Sequence, residues 1–235
     1  MEELIKARQQ QVLHDEKWVK LLRRTWLLRW IPFVDFALAA GSMAIGNVKP
    51  QSDFDVIIGA KYGRIFTARF FAVLAFGLFG WRRKKLSHKE DAADKICLNH
   101  FVTEKAYRLS GPHDAYWQKL YQSLVPIFGR IEVVNKFFQA NQDWMGVPWI
   151  FVDDLRHDRA AATWPRAMLE KILSGWLGDR LESVLRRFQM RRIERGLRND
   201  PPGYKPRIIY GDDELEFHPD TRRTELYIAN PKGTL

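Results

Sequence analysis

Residues 36–59 read FALAAGSMAIGNVKPQSDFDVIIG, and the two apolar ends of this stretch decide the fold. Residues 33–40 form a short apolar run that stops at Gly41, the pattern of a buried strand. Residues 53–58 alternate and stop at Gly59, the pattern of a second strand. Between them, residues 41–52 hold glycine, asparagine, proline and serine, and so contain turns. Side chains alternate across a strand, so Asp53 and Asp55 project from one side while Phe54 and Val56 face the other. Two carboxylates this close repel each other, and a hard divalent cation with oxygen ligands, Mg²⁺ above all, relieves the repulsion. Gly41 permits backbone angles that other residues resist and lets a ligand approach the main chain. Ser42 adds a hydroxyl, and a short helix over 43–46 would turn free backbone N–H groups toward phosphate oxygens. An Asp-x-Asp pair alone is also the pattern of a solvated strand; its coupling to a Gly-Ser turn singles it out.

Outward from this stretch, residues 2–30 carry Leu4, Val12, Trp18, Leu21, Leu22, Trp26 and Leu27 among many charges, which predicts a helix ending before Pro32. Residues 64–80 are helical in pattern and apolar nearly all round, which predicts burial against more than one neighbour. The polar stretch 82–94 reads as a loop, and 95–103 as a third strand. After Gly111-Pro112 no strong strand is expected before the tail; 113–145 and 165–197 read as helices. In the later stretch Leu169, Ile172, Leu173, Trp176, Leu177, Leu181, Val184, Leu185, Phe188 and Ile193 recur at helical spacing, and read as core. The tail is expected to form a hairpin, with 207–210 and 214–217 flanking Gly211-Asp212-Asp213. The fold class is therefore α/β, or α+β: a small mixed-sheet core with an N-terminal helix (1–110), a C-terminal helical annex (111–198) and an extended tail (199–235).

The 235 residues are enough to bury a sizeable core. Hydrophobic residues at 46% and charged residues at 28% exclude a disordered or fibrous chain. A net charge of +10 suits a phosphate-rich partner such as nucleic acid, nucleotide or an anionic membrane face, though it also occurs in soluble proteins with no such partner. Cys97 is the single cysteine, which excludes an intramolecular disulfide framework and a cysteine zinc site, and fits a reducing cytoplasm. The opening Met1-Glu2-Glu3 is not the start of a secretory signal. Residues 70–81 are uncharged but far short of the roughly 20 residues a spanning helix needs; the basic trailer at 82–85 leaves peripheral contact with anionic lipid as a lesser alternative.

Residues 36–59 resemble the signature of the DNA polymerase beta-like nucleotidyltransferase superfamily: hydrophobic strand, Gly-Ser, spacer, then two acids one residue apart in a second hydrophobic strand. GRIFTARFFAVLAFGLFGWRRK, DKICLNHFVT, QANQDW and LESVLRRFQMRRI look more narrowly like bacterial nucleotidyltransferase-domain proteins of undefined substrate, over residues 30–195. The resemblance implies an α/β core with a small mixed sheet, two Mg²⁺ (or Mn²⁺) ions, and transfer of a nucleoside monophosphate from an NTP to a hydroxyl with loss of pyrophosphate. It assigns Asp53 and Asp55 to the metals and Gly41 and Ser42 to the triphosphate. An RNA or another hydroxyl-bearing molecule is the acceptor class.

The chain departs from the family at the third acid, which active members place on a later strand. In Ile96-Cys97-Leu98-Asn99-His100-Phe101 the candidate position is Asn99, or Cys97 on the same face. An asparagine offers a carbonyl oxygen to a metal but neither carries negative charge nor accepts a proton. This opens the alternative of a nucleotide- or RNA-binding module that keeps the fold without turnover, with Asp94, His100 and Glu104 as substitute bases to weigh. Arg186, Arg187, Arg191, Arg192, Arg195 and Arg198 form a basic helix end that suits a nucleic-acid backbone or, more simply, solvent. Trp144, Trp149, Trp164 and Trp176 read as core, and His218 has no partner at metal-ligand spacing.

Overall fold

In a computed structural model, which describes residues 1–84, 92–111, 113–145, 154–159, 162–199 and 206–218, the chain is a mixed α/β protein built on a six-stranded sheet. The strands are β1 (Val34–Ala39), β2 (Phe54–Ala60), β3 (Ile96–Val102), β4 (Val125–Gly129), β5 (Arg207–Tyr210) and β6 (Glu214–His218), in the spatial order β4-β1-β2-β3-β6-β5. Only β2 and β3 run parallel; every other neighbouring pair is antiparallel. The β2–β3 crossover passes through α3 (Ile65–Leu78), as a parallel pair requires.

The sheet separates two apolar layers. Phe54, Val56, Ile58 and Ala60 of β2 face a core shared with Trp18 and Leu21 of α1 (Glu2–Thr25) and with Phe66, Ala72 and Phe76 of α3. Ile57 points the other way, with Phe36 and Leu38, into a core built from α4 (Ala115–Gln122) and α5 (Ile131–Met145). The period-2 alternation that the sequence shows over 53–58 is thus a real division between two cores. The Asp114 side chain caps α4 by accepting from the Tyr116 and Trp117 N–H groups.

Two later helices, α6 (Trp164–Ile172) and α7 (Trp176–Arg198), tie the ends of the core down. Glu170 accepts from the backbone N–H of Phe33, and Arg166 donates to the carbonyl of Val34, which pins the start of β1. Glu182 accepts from the N–H groups of Phe66 and Thr67 at 2.9 and 2.8 Å, so α7 supplies the N-terminal cap that α3 lacks.

Four expectations need correction. Within the stretch expected to be helical lies β4, which pairs antiparallel with β1 as an edge strand; five residues including Pro126 are too few and too irregular to show a period. The expected α3 is present but not covered all round, for Phe70, Leu74, Leu78 and Phe79 are exposed. Of the apolar residues expected in the core of α6 and α7, Leu173 and Leu185 are buried and Leu169, Leu181 and Ile193 partly so, whereas Ile172, Trp176, Leu177, Val184 and Phe188 are exposed. These two helices offer the sheet one narrow stripe. Trp164 and Trp176 are likewise exposed rather than core, Trp144 stacks on His113 with ring centroids 4.4 Å apart, and Trp149 lies outside the described residues. The tail hairpin forms as read, and no helix among the described residues is long and apolar enough to cross a membrane.

Candidate metal and nucleotide site

Gly41 opens a single turn of helix, α2 (Gly41–Ile45), directly after β1. Its φ is +63°, and a Cβ there would collide with Oδ2 of Asp55 and lie 3.2 Å from its Cγ. Only glycine tolerates both the angle and the approach. The Gly-Ser turn and the second acid are therefore in contact, as the sequence reading requires. The loop that follows is held from outside: Lys17 of α1, a fully buried lysine, donates to the carbonyls of Pro50 and Ser52 at 3.0 and 2.8 Å and to Asp94 Oδ1 at 2.8 Å. Lys17 thus anchors the chain one residue before Asp53. Sequence reading missed it, since a lysine on a charged helix looks solvated.

Asp53 and Asp55 face the α4–α5 side of the sheet, in phase with Ile57. One carboxylate oxygen from each, together with Sγ of Cys97, fall within 4.8 Å of one another. Cys97 is the Cα partner of Asp55 across the parallel β2–β3 pair, whereas Ile57 pairs with His100. Two residues of β3, Leu98 and Asn99, thus oppose Val56 alone, a bulge that leaves Asn99 without a partner on β2. The position beside the acid pair belongs to Cys97, and Asn99 takes the irregular position next to it, buried. The sequence could not distinguish the two because a bulge shifts the face of every later residue.

The site is half-buried, and a cation already faces it. Arg83 Nη1 donates to Asp53 Oδ2 at 2.7 Å, and burial, which lowers the guanidinium pKa, is outweighed by the carboxylates of Asp53 and Asp55, so that it is raised. Burial pushes the Cys97 thiol well above its usual range, and Asp55 and Asp53 add to the effect. The thiol therefore stays protonated and hydrogen-bonded to Asp55. Two carboxylates with water fit one Mg²⁺, which takes oxygen ligands and is often held by one or two acids plus substrate phosphates; a neutral thiol adds no ligand for it. Ser42 follows Gly41 on α2 and is half-buried.

Two of the three substitute bases are engaged elsewhere. Asp94 is bound to Lys17 and Lys20, which hold its carboxyl below the usual range against the opposing effect of burial. His100 belongs to a separate cluster with Glu214 and Glu216, and Glu104 is exposed on the turn beyond β3. On α7, Arg186 pairs with Asp212, while Arg187, Arg191, Arg192, Arg195 and Arg198 are exposed. Set against protein-family models, curated proteins and solved structures, the chain matches none, and its function is read from its own residues.

Proposed function

We propose that the chain is a metal-dependent nucleotidyltransferase that binds an NTP between the Gly41-Ser42 turn and the Asp53–Asp55 pair. The observation that carries this reading is the contact between a positive-φ glycine and a paired carboxylate: Gly41 has no room for a side chain because Asp55 fills it. That geometry brings the Gly41 backbone against Asp55, one of two acids on the same face of β2, an arrangement that suits a metal-bound triphosphate. Asp53 and Asp55 would hold Mg²⁺ or Mn²⁺, which would supply charge neutralisation for the phosphates. An acceptor hydroxyl oxygen would form a bond to the α-phosphorus as the bond to pyrophosphate breaks, its proton passing to solvent water. Asp53 and Asp55 hold the charge balance, Gly41 and Ser42 seat the phosphates, and Arg83 lies within reach to exchange Asp53 for a phosphate oxygen.

A second reading has its own support. Cys97 stands opposite Asp55 where an active relative would carry an acid, and neither a protonated thiol nor the amide of Asn99 accepts the acceptor's proton. On this reading the chain keeps NTP or RNA bound without turnover.

Labelled NTPs with Mg²⁺ or Mn²⁺ and a panel of RNAs and small hydroxylated acceptors separate the two. Transfer by the wild type that drops at least about 100-fold in both Asp53→Ala and Asp55→Ala supports the enzyme. Binding without transfer, with transfer gained in Cys97→Asp, supports the module. Transfer unaffected by either alanine substitution removes the site.

A further inference from the structure

On the same side of the sheet, where β3 meets β6, lies a second cluster. His100 is the Cα partner of Glu216, and alternation along β6 puts Glu214, Glu216 and His218 on one face. His100 Nδ1, Glu216 Oε1 and His218 Nε2 are each buried without a hydrogen-bond partner. These orphaned atoms are the ones that converge: His100 Nδ1 is 4.0 Å and His218 Nε2 is 3.0 Å from Glu216 Oε1, and one ligand atom from each residue fits within 4.8 Å. Glu216 is wholly buried and His100 is 2% exposed.

We propose that His100, Glu216 and His218 bind one divalent transition-metal ion, with Zn²⁺ the best match to this ligand set. Two imidazoles and one carboxylate are borderline ligands that suit zinc-like ions rather than Mg²⁺ or Ca²⁺. Zinc holds such atoms at about 2.0–2.2 Å, hence roughly 3.3 Å from one another in a tetrahedron, and the 3.0 and 4.0 Å separations bracket that value.

The surroundings are arranged as an outer shell. Glu214 Oε1 lies 3.2 Å from His100 Nε2, so that ring donates outward and keeps its Nδ1 lone pair for the cluster. Ser110 donates to the other oxygen of Glu214 at 3.0 Å. Arg207 Nε donates to Glu216 Oε2 at 2.8 Å, which leaves Oε1 for the ion. The second ring nitrogen of His100 and the second carboxylate oxygen of Glu216 are thus engaged where the first is bare. Two carboxylates, those of Glu214 and Glu216, are buried here beside a single guanidinium, that of Arg207. Trp117, whose ring centroid lies 5.3 Å from that of His218, carries a buried indole N–H with no partner, a donor suited to a water in the fourth position. Such an ion would fasten the C-terminal hairpin to β3. None of these residues belongs to the Asp53–Asp55 site, so this inference does not rest on the nucleotidyltransferase reading.

The test is titration of the EDTA-treated, dialysed full chain with Co²⁺ alone and with Zn²⁺ alone. Expected are visible d–d bands saturating at one Co²⁺ per chain, their displacement by Zn²⁺, and a higher melting temperature with Zn²⁺. Glu216→Gln and His218→Ala should each weaken binding at least about 100-fold, and Glu214→Gln about tenfold. Far-UV circular dichroism checks that each variant folds; the conservative Glu216→Gln decides the matter should His218→Ala unfold. Asp55→Asn should leave the cobalt bands unaltered. Absence of cobalt bands in the wild type, or bands that survive both Glu216→Gln and His218→Ala, overturns the proposal. So does a thiolate-to-cobalt charge-transfer band, which only Cys97 can supply.

Discussion

The chain carries two groups of candidate ligands on one face of one sheet, and they differ in a way that net charge does not reveal. Each has two carboxylates and one arginine: Asp53, Asp55 and Arg83 in the first, Glu214, Glu216 and Arg207 in the second. In the first, the acids are half-buried and Arg83 approaches Asp53 directly, so water and exchangeable ions reach the pair. In the second, Glu216 is sealed from solvent, and His100 Nδ1, Glu216 Oε1 and His218 Nε2 face one another in the interior. Burial, rather than the number of acids, separates a site suited to an arriving metal–triphosphate from one suited to a resident ion, since water satisfies exposed groups and not buried ones.

The largest expected effect tests what supports the first site. Lys17→Met removes a buried cation that serves two carbonyls and Asp94, and should cost about 3–4 kcal/mol in urea unfolding. A loss below about 1 kcal/mol would mean that the loop before Asp53 holds its shape unaided. The second site makes its own demand on pH. Burial raises the Glu216 carboxyl, but His218, His100 and Arg207 outweigh it and hold it at about 2, against 4.5 when unfolded. Its contribution, about 3 kcal/mol, is present above pH 4.5 and fades as pH falls toward 2. Comparison of the wild type with Glu216→Gln at pH 7 and pH 3 should show the two stabilities converging in acid; curves that stay parallel contradict the depressed carboxyl.

Smaller effects sharpen the contrast. Gly41→Ala places a Cβ against Asp55 at a positive φ, with an expected cost of about 1–2 kcal/mol and loss of NTP binding; calorimetry with an NTP and Mg²⁺ reads both. Arg83→Met removes the protein's own cation from Asp53, and Mg²⁺ affinity should rise about tenfold while affinity for the triphosphate falls. A fall in both would make Arg83 a positioning residue for the acids. Trp176→Ser, at a side chain 72% exposed, should change stability by no more than about 0.5 kcal/mol. A larger loss would place Trp176 in a packed interface after all.

The first site was legible because its elements are contiguous: an apolar strand, Gly41-Ser42, and an alternating strand opened by Asp53 lie within 24 residues. The second was legible only in part. Glu216 and His218 stand two apart on a strand that the tail pattern predicts, so alternation already put them on one face. Their partner His100 lies 116 residues earlier and joins them only through antiparallel pairing of β3 with β6. Lys17 and Arg83 escaped for the same reason, being bound to residues 77 and 30 positions away.

Local pattern by itself determined the helices α1 and α3, the strands β1, β2 and β3, the tail hairpin and the common side that Asp53 and Asp55 share, because each is a matter of period over neighbouring residues, whereas the helix expected over 165–197 is broken at 173–175 into α6 and α7. Tertiary structure alone decided that β4 closes one edge, that Cys97 rather than Asn99 faces Asp55, that much of α6 and α7 is exposed, and that His100 meets Glu216 and His218. These depend on strand register, on a bulge and on which surfaces find partners, and all three are properties of contacts between distant segments.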